Sequence, residues 1–464
     1  MSFHLWLLYV QNNVRKNGHQ INVIPVWDNK VTGKGVVVTV VDDGLEHTHP
    51  DVVNSYDPQA SWDMNGNDPD PFPNEADPIN SHGTRCCGQI VMAMNNGVCG
   101  VGVAYDARIG AVRMLDGDVT DAIEARSLGL QPQHIDIYTN SWGPNDDGRT
   151  MESPGPLAQQ ALMQGVSSGR GGKGSIFLFA NGNGGSADDC NADGYANSLY
   201  TIAIGAIAED GSSPWYTEQC SATVAVTFSS GSAGQRAIST IDLHSGCTSD
   251  HTGTSAASPM AAGMIALVLE VNSALGWRDV QYIIVRTAQI TAPDDPGWAK
   301  NAAGLHINPK FGFGSMDASL MVDLARTWVP VGPHLVFRSS VQSVASSIPF
   351  ATEGSGALEA KIVVSTTETD VRFLEHVQVT VNIDASRRGS VVLELISPSG
   401  TSSTLLSRRP YDDDNTGIHW TFMTVRCWGE TALGAWTLRT RFAEPQIGRL
   451  EDWQLILYGL ATSP

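Results

Sequence analysis

The feature that most restricts the fold of this chain is an uninterrupted β-branched run that ends in two acids. Residues 36–41 read Val-Val-Val-Thr-Val-Val, and Asp42, Asp43 and Gly44 follow directly. A strand with apolar side chains on both faces must be covered on both sides, which is typical of the parallel sheet of an α/β protein. Catalytic groups in such sheets lie at the carboxyl ends of strands, where these two acids stand. The alternative is that one aspartate only caps the following helix.

The alternation of short apolar strands with helical segments continues to residue 271. The predicted strands and helices cover residues 108–115, 121–130, 135–142, 157–167, 174–180 and 260–271. This order predicts an α/β domain with a mostly parallel sheet and flanking helices over residues 1–328. Beyond it, alternating segments such as residues 377–383 are separated by turns, which predicts an all-β sandwich or jelly roll over residues 329–464.

A serine stands between small residues at the start of the last of these helices. Residues 251–259 read His-Thr-Gly-Thr-Ser-Ala-Ala-Ser-Pro, so Ser255 follows a glycine-led turn. Small neighbours leave its hydroxyl accessible, and the helix N-terminus places partial positive charge near a developing oxyanion. Since a serine alone is a weak nucleophile at neutral pH, a base and an orienting acid must lie elsewhere in the chain.

Two further residues are candidates for that machinery. His82 is followed by glycine and opens a segment of small and apolar residues, so its ring can face a cleft at the start of a helix. The alternative for His82 is a purely structural histidine. Asn183 follows a strand inside a Gly/Asn turn, and its side-chain amide is a candidate donor to an oxyanion. The alternative for Asn183 is a turn asparagine in the left-handed region.

The net charge of the chain disfavours one class of partner and favours another. The net charge is -20, with 42% hydrophobic residues, so the sequence predicts a folded acidic protein that does not bind nucleic acid. Such charge favours cationic partners or metal ions, although solubility alone is the simpler explanation. Asp63, Asp68 and Asp70 lie on a turn-rich loop that suits calcium; the alternative is a solvated acidic loop.

The seven cysteines show no zinc spacing, because none of them forms a Cys-x-x-Cys pair. Their wide separation suits a few long-range disulfides in an oxidising compartment, together with leftover thiols, and spacing alone does not pair them. Residues 5–10 are apolar but follow no basic region and are short for a signal peptide, so no secretory address is predicted. No run approaches the roughly 20 apolar residues of a membrane span.

Asp42, His82 and Ser255 stand in the chain order of the subtilisin acid, base and nucleophile. The segments that carry the likeness are Asp-Asp-Gly at 42–44, His-Gly-Thr-Arg-Cys at 82–86, Ser-Trp-Gly-Pro at 141–144, Gly-Asn-Gly-Gly at 182–185 and Gly-Thr-Ser at 253–255. By these motifs the chain resembles the subtilisin-like serine proteases, and within them the kexin/furin group of proprotein convertases, from about residue 20 to residue 459. Its C-terminal part is similar to the P domain of that group, and residues 424–430 most resemble the seventh convertase.

The resemblance implies a serine endopeptidase that cuts after paired or multiple basic residues. Asp42, His82 and Ser255 would form the triad, and Asn183 would help to hold the oxyanion. Carboxylates held in a cleft match arginine best. The implied substrate-binding residues are Asp146 and Asp193 for the residue before the scissile bond, Asp43 for the next one back, Glu124, Glu152 and Tyr195 for the fourth, and Ser141 and Gly143 along the cleft.

The resemblance also implies bound calcium and two disulfides. The implied calcium ligands are Asp51, Asn96 and the carbonyls of Ala93, Val98 and Gly100 in a first site, Asp146, Asp188 and Glu218 in a second, and Asp63, Asp68 and Asp70 in a third. An aspartate that the family adds to the first site has no counterpart in residues 1–20, which contain no Asp. The implied disulfides are Cys99–Cys247 and Cys190–Cys220, with Cys86 a free thiol near His82.

The expected partners are precursor proteins with basic cleavage motifs, and the chain is expected to act as a monomer without a membrane segment. The family resemblance places it in the secretory pathway, at the Golgi, an endosome or the cell surface. Two alternatives stay open. One is a convertase-like protein whose truncated start leaves it inactive, so that it acts only by binding. The other is a subtilase of broad specificity.

Overall fold

A seven-stranded parallel sheet lies at the centre of the first part of the chain. The computed structural model describes residues 20–74, 76–352 and 356–464, so the apolar stretch at residues 5–10 lies outside the described residues. The strands are β1 (Val37–Asp42), β2 (Trp62–Asp63), β3 (Arg108–Arg113), β4 (Ile137–Asn140), β5 (Ile176–Ala180), β6 (Thr201–Ile207) and β7 (Thr223–Phe228). They lie in the order β2-β3-β1-β4-β5-β6-β7, and neighbours are parallel.

Apolar clusters cover both faces of this sheet. Val38 and Val40 of β1 belong to one cluster, whereas Val37 and Val41 belong to another, because successive side chains of a strand point to opposite faces. The described helices are α1 (Ile24–Asp28), α2 (His82–Val91), α3 (Asp121–Leu128), α4 (Pro156–Gly172), α5 (Thr254–Val271), α6 (Trp277–Thr287) and α7 (Ala318–Thr327). The β-branched run therefore forms the doubly covered strand that its composition predicts.

The longest described helix, α5, is also the most apolar. Its residues from Thr254 to Leu269 are all buried, and it packs against β1 and β4 to β7. By length and hydropathy it is the one described helix that would qualify as a membrane span, but 83% of that window is buried inside the protein. A hairpin of β8 (Ile238–Asp242) and β9 (Gly246–His251) leads into it, and a second short pair, β10 (Ala299–Lys300) and β11 (His306–Ile307), follows α6.

The second part of the chain is a pair of antiparallel sheets. Its strands are β12 (Leu335–Arg338), β13 (Gln342–Ser347), β14 (Leu358–Val364), β15 (Phe373–Ala385), β16 (Val391–Ile396), β17 (Ser402–Leu406), β18 (Ile418–Thr424), β19 (Gly434–Phe442) and β20 (Gly448–Leu460). One sheet has the order β12-β20-β15-β18 with β13 also beside β20, and the other has the order β14-β19-β16-β17. The predicted fold class, an α/β sheet followed by a β-sandwich, is confirmed. The predicted division at residue 328 falls between α7 and β12.

Buried polar contacts join the two parts. Arg278 of α6 donates to both carboxylate oxygens of Glu375 in β15, at 2.8 and 2.5 Å, and Glu375 is fully buried. Beside this ion pair, His376 Nε2 lies 2.9 Å from Gln281 Oε1. Apolar residues of the second part also belong to the main cluster of the first, among them Met423, Val425 and Trp428. The β-sandwich therefore packs directly against the α/β part through both polar and apolar contacts.

Two disulfides connect distant segments of the first part. Cys99 is bonded to Cys247 and Cys190 to Cys220, which confirms both implied pairings. The remaining cysteines among the described residues, which include all seven, are buried free thiols: Cys86, Cys87 and Cys427.

Candidate active site

Three neighbouring strands bring the predicted residues to one edge of the sheet. β1 ends at Asp42, β4 ends one residue before Ser141, and β5 ends three residues before Asn183. Since β1 pairs with β4 and β4 with β5, these carboxyl ends lie side by side. The site therefore occupies the edge at which open α/β sheets bind their ligands.

An aspartate–histidine pair lies at the centre of this edge. His82 Nδ1 is 2.9 and 3.0 Å from the two carboxylate oxygens of Asp42, which is 1% exposed. Burial opposes protonation of the ring, but the charge of Asp42 and the hydrogen bond that Asp42 accepts from the ring outweigh burial, so the pKa of His82 is raised. The pair therefore holds a proton on Nδ1 and stabilises a positive charge on the ring.

The second acid of the pair has a different role from the first. Asp43 accepts hydrogen bonds from the backbone amides of His82, at 3.0 Å, and Gly83, at 2.7 Å, where α2 begins. A Cβ at Gly83 would lie 2.4 Å from the carbonyl oxygen of Gly44, so only glycine fits this approach. Asp43 therefore caps the helix, which was the alternative considered for the two acids, whereas Asp42 accepts the hydrogen bond from the ring of His82.

Ser255 is the second residue of α5, directly after a turn at Gly253 with φ of 81°. Its hydroxyl donates to the carbonyl oxygen of Ser141 at 3.3 Å. The carbonyl of Ser255 lies 3.7 Å from the sulfur of Cys86, and that sulfur lies within 4.8 Å of the ligand atoms of Asp42 and His82. Asp42 and His82 therefore lie on one side of the Cys86 thiol and the backbone of Ser255 on the other, which agrees with the position near His82 that the resemblance implies for that thiol.

A second histidine lies in this cluster, and the sequence analysis assigned it no role. The ring of His251 is 5.5 Å from that of His82, and its Nε2 lies 3.7 Å from Cys86 Sγ. Burial, together with the nearby charge of His82, lowers the pKa of His251 well below its ordinary value. His251 is therefore neutral and packs against the ring of His82. Its position four residues before Ser255 was the one sequence signal that pointed to it.

Asn183 is anchored to the start of α5. Its side-chain oxygen accepts hydrogen bonds from the amide of Thr254, at 2.8 Å, and from the Thr254 hydroxyl, at 3.1 Å. Its side-chain nitrogen lies 3.4 Å from Asp146. Asn183 itself is not in the left-handed region, which its neighbour Gly182 occupies with φ of 103°. The turn-asparagine alternative is therefore wrong, and the amide is fixed close to Ser255.

A narrow acidic cavity opens beside Ser255. Its lining includes Ser141, Trp142, Gly143, Asp146, Ala180, Gly182, Asn183, Asp193, Thr254 and Ser255. Asp193 accepts from the amides of Tyr195 and Ala196 at 2.6 and 3.2 Å, and a Cβ at Gly143 would lie 2.8 Å from its other oxygen. Burial raises the pKa of Asp193 to about 7 and also raises the pKa of Asp146. Carboxylates whose charged form is disfavoured in this way gain from a cationic partner.

Three more predicted residues form a second acidic position. The Tyr195 hydroxyl donates to Glu124 at 2.7 Å, and its ring lies against Phe179 and Trp142. Glu152 pairs through its backbone with Asp193. Burial first, and then the charges of Asp121 and Glu152, raise the pKa of Glu124. Glu124, Glu152 and Tyr195 are therefore brought together, as the resemblance implies.

Two acids of the implied second calcium site, Asp188 and Glu218, are buried next to the cavity, whereas the third, Asp146, is exposed. Asp188 accepts from the amide of Gly148, and Glu218 accepts from the amide of Gly184, at 2.8 and 2.9 Å. Burial, together with the charges of Asp188 and Asp146, raises the pKa of Glu218 well above its ordinary value. A Cβ at Gly182 would lie 2.2 Å from Glu218, so the glycine makes room for this carboxylate.

The other two implied calcium sites are assembled to different degrees. Asp51 accepts from the amide of Ala93, from Asn96 Nδ2 and from the amide of Gly100, at 3.0, 2.6 and 3.4 Å, and Val98 donates its amide to Asn96. In the implied third site, Asp63 pairs with Arg113 at 2.5 Å and Asp70 turns to His47 at 2.9 Å. The carboxylates of Asp63 and Asp68 both lie next to Gly66, whereas the carboxylate of Asp70 faces His47.

Comparison with known families matches both parts of the chain. Residues 33–314 match the Subtilase family, and residues 374–457 match the Proprotein convertase P-domain. The chain is 48% identical to Furin-like protease 1, isoform 1-CRR, of Drosophila melanogaster over 451 aligned residues. The alignment covers 97% of this chain and 40% of that protein. It is 46% identical to proprotein convertase subtilisin/kexin type 5 of Homo sapiens over 470 aligned residues. This alignment covers 99% of this chain and 25% of that protein. The chain thus spans less than half the length of these relatives.

Solved structures agree on the fold. The serine protease of Aeromonas sobria is similar with a TM-score of 0.85 and 21% identity, covering 98% of this chain and 94% of that one. At that identity the likeness concerns the fold alone, and both parts of the present chain are included in it. Since the subtilase match covers more than half of the chain and is followed by a convertase P-domain, the chain belongs to the subtilisin-like serine endopeptidases of the furin/kexin proprotein convertase family.

Proposed function

We propose that this protein is a calcium-dependent serine endopeptidase that cuts precursor proteins after paired or multiple basic residues. The observation that carries the proposal is the Asp42–His82 hydrogen bond at 2.9 Å. This pair lies against the Cys86 thiol, which also contacts Ser255, and Ser255 lines a cavity with Asp146 and Asp193. A nucleophile next to a base that an acid orients is the arrangement of acyl-transfer enzymes. The acidic wall supplies the complementary charge for arginine or lysine.

In the proposed mechanism Ser255 attacks the scissile carbonyl after its hydroxyl turns from Ser141 toward the ring of His82. His82 takes the hydroxyl proton on Nε2 and then gives it to the leaving amine, while Asp42 holds the ring and stabilises its charged form. The raised pKa of His82 is consistent with this stabilisation. Asn183 Nδ2 and a backbone amide hold the oxyanion, and water then releases the acyl group.

Substrate selection is proposed to follow the three groups of acids. Asp146 and Asp193 receive the basic residue before the scissile bond, since they lie in the cavity with Ser255. Asp43 is proposed to attract the next residue back through its charge, in addition to capping α2. The cluster of Glu124, Glu152 and Tyr195 takes the basic residue at the fourth position. Ser141 and Gly143 line the cleft between them.

Calcium is proposed to occupy the acidic group next to the cavity. Asp146, Asp188 and Glu218 fit a divalent cation because the charges of Asp188 and Asp146 both act on Glu218 and raise its pKa, while a cationic side chain, Arg409, pairs with Asp188 alone. Calcium there would neutralise these acids and keep the cavity wall in place. The first site, with Asp51 and Asn96 in contact, is proposed as well. The third does not fit as it stands, because Arg113 and His47 hold two of its three acids.

The cellular setting is proposed from the family. Two disulfides suit an oxidising compartment, which agrees with the secretory pathway, at the Golgi, an endosome or the cell surface. Precursor proteins with basic motifs are the proposed partners, and the chain is proposed to act as a monomer. The finer assignment to the seventh convertase is supported only by the likeness of residues 424–430 and remains part of this proposal.

A fluorogenic Arg-x-Lys-Arg peptide tests the proposal directly. Hydrolysis is expected with calcium and not with chelator, and Ser255→Ala should abolish it without changing the circular dichroism spectrum. Folded protein that does not cut the peptide would instead support the alternative of an inactive binding protein. Equal rates with a leucine peptide would support a subtilase of broad specificity.

A further inference from the structure

Two short segments carry the carboxylates proposed to bind basic side chains. Residues 146–152 hold Asp146 and Glu152, and residues 188–195 hold Asp193. The segments pair through their backbones, since the amide of Gly194 donates to the carbonyl of Glu152 at 2.8 Å. Their relative position sets the distances between the carboxylates. Whatever fixes the two segments therefore also shapes the pocket.

One arginine of the β-sandwich contacts both segments from behind. The side chain of Arg409 is 1% exposed, and its Nε donates to Asp188 at 2.8 Å. Its Nη2 donates to the carbonyl oxygen of Thr150 at 2.5 Å. The third nitrogen, Nη1, donates to Asp412 of its own loop at 2.9 Å. All three nitrogens of the fork are thus used, and two of them reach across to the pocket segments.

Neighbouring contacts hold the second segment from the same side. Asp189 accepts a hydrogen bond from the amide of Ser407 at 2.7 Å. The side-chain amide of Asn191 donates to the backbone carbonyl of Leu405, and the backbone carbonyl of Asn191 accepts from the indole nitrogen of Trp420, both at 2.9 Å. Several hydrogen bonds therefore hold the segment that carries Asp193 against the β-sandwich. Of the residues that make these bonds, Arg409 also contacts the first segment, at Thr150.

We propose that Arg409 is a positioning residue for the recognition of guanidinium groups. It touches no substrate and acts through Asp188 and Thr150, which fix the two pocket segments at the correct separation. A planar guanidinium can hold a carboxylate and a carbonyl in one geometry, whereas a lysine ammonium is a single point charge that cannot. The inference rests on the proposed function, because it concerns the pocket that the proposal assigns to arginine.

The test compares two conservative substitutions in the same interface, Arg409→Lys and Arg278→Lys. Both replace a buried guanidinium that pairs across the two parts of the chain, but of the two only Arg409 contacts the pocket segments. In the full chain carrying Ser255→Ala, with calcium in fixed excess, calorimetry measures the binding of agmatine, a free guanidinium probe. We expect both variants to unfold at lower temperature. Only Arg409→Lys should weaken agmatine binding, by about tenfold or more, equivalent to about 1.4 kcal/mol.

Kinetics with Ser255 intact provide a second readout. Arg409→Lys should raise KM for the arginine peptide with little change in kcat, whereas Arg278→Lys should change neither. If Arg409→Lys does not fold, Asp412→Asn takes its place, because it removes the charge that holds Nη1 and keeps the shape; a smaller weakening of agmatine binding is then expected. Asp412 also accepts from Arg388, so Arg388→Lys is the control for this variant and should weaken binding less.

The inference is overturned if agmatine binds the parent and a folded Arg409→Lys or Asp412→Asn equally well. It is also overturned if Arg278→Lys weakens binding as much, or if the parent does not bind agmatine at all. Normal agmatine binding without peptide hydrolysis in the chain with Ser255 intact would count against the proposed function and leave the inference standing.

Discussion

The side-chain oxygen of Asn183 accepts both the backbone amide and the hydroxyl of Thr254, at 2.8 and 3.1 Å. Two donors on the oxygen define which end of the amide is the nitrogen, so Nδ2 is fixed on the side away from Thr254. The residue after Thr254 is Ser255, so this one contact ties the proposed oxyanion donor to the proposed nucleophile. Their relative position is set by the first turn of α5.

Asn183→Asp should separate the two functions of this side chain. The aspartate keeps an oxygen for Thr254 but loses the donor to the oxyanion, so kcat should fall by about 100- to 1,000-fold while KM changes little. Thermal unfolding should occur at a somewhat lower temperature than in the parent, because the new carboxylate replaces a nitrogen that lies 3.4 Å from Asp146. Thr254→Val, which removes one donor to Asn183 and keeps the other, is the matched control and should show a much smaller loss. Equal kcat in Asn183→Asp and the parent would exclude the role.

The acid at the fourth position can be tested by pairing an enzyme variant with a substrate variant. Glu124→Gln keeps an acceptor for the Tyr195 hydroxyl but removes the charge. It should lower kcat/KM for Arg-x-Lys-Arg about tenfold, or about 1.4 kcal/mol. The same variant should leave kcat/KM for Ala-x-Lys-Arg unchanged. A similar loss with both peptides would show that the residue does not recognise the distal arginine.

Acid should weaken the interface between the two parts of the chain. Burial, with the nearby charges of His334 and Arg278, lowers the pKa of His376 well below 6.5, and burial lowers that of His334 to about 4. The unfolded chain therefore binds protons that the folded chain does not. The free energy of unfolding should fall as pH drops below about 6.5, by up to about 1.4 kcal/mol per pH unit for each histidine.

Denaturant unfolding at a series of pH values measures this slope. His376→Gln should make the slope shallower, because one of the two titrating groups is gone. His419→Gln changes an exposed histidine of the same β-sandwich and should leave the slope as it is. Identical slopes in His376→Gln and the parent would contradict the assignment.

The turn before Ser255 should not tolerate a side chain. Gly253 has φ of 81°, and a Cβ there would lie 3.1 Å from the side-chain oxygen of Asn183. Gly253→Ala should lower stability by about 1–2 kcal/mol through backbone strain and should also lower kcat by moving Asn183. Gly35→Ala is the control, since Gly35 has φ of 86° with no atom within 4 Å of the added Cβ. It should show a similar loss of stability with normal kcat.

The positions of Asp42, His82, Ser255 and Asn183 were predictable because local patterns place them. Each stands where a strand ends or a helix begins, and a parallel sheet brings such ends to one edge. The division of labour between Asp42 and its neighbour Asp43 was not predictable, because adjacent residues differ only in the direction that the turn gives them. The structure assigns one to the histidine and the other to the helix.

Contacts between distant segments were beyond the reach of the sequence. Arg409 meets Asp188 across 221 residues, and nothing in the local composition of either predicts the pair. The partners of the third implied calcium loop were not predictable for the same reason. Asp70 lies on an acidic loop that suits calcium, but His47 lies 2.9 Å away and holds its carboxylate. Local patterns locate the acidic side chains, whereas the side chains that compete with a ligand for them come from distant parts of the sequence.

The serine of this protein stands at the first turn of its most deeply buried helix. Residues 254–269 are buried and α5 packs against the sheet, so the position of Ser255 relative to Asn183 depends on the packing of that helix. Core packing and the proposed activity should therefore be lost together when the chain unfolds.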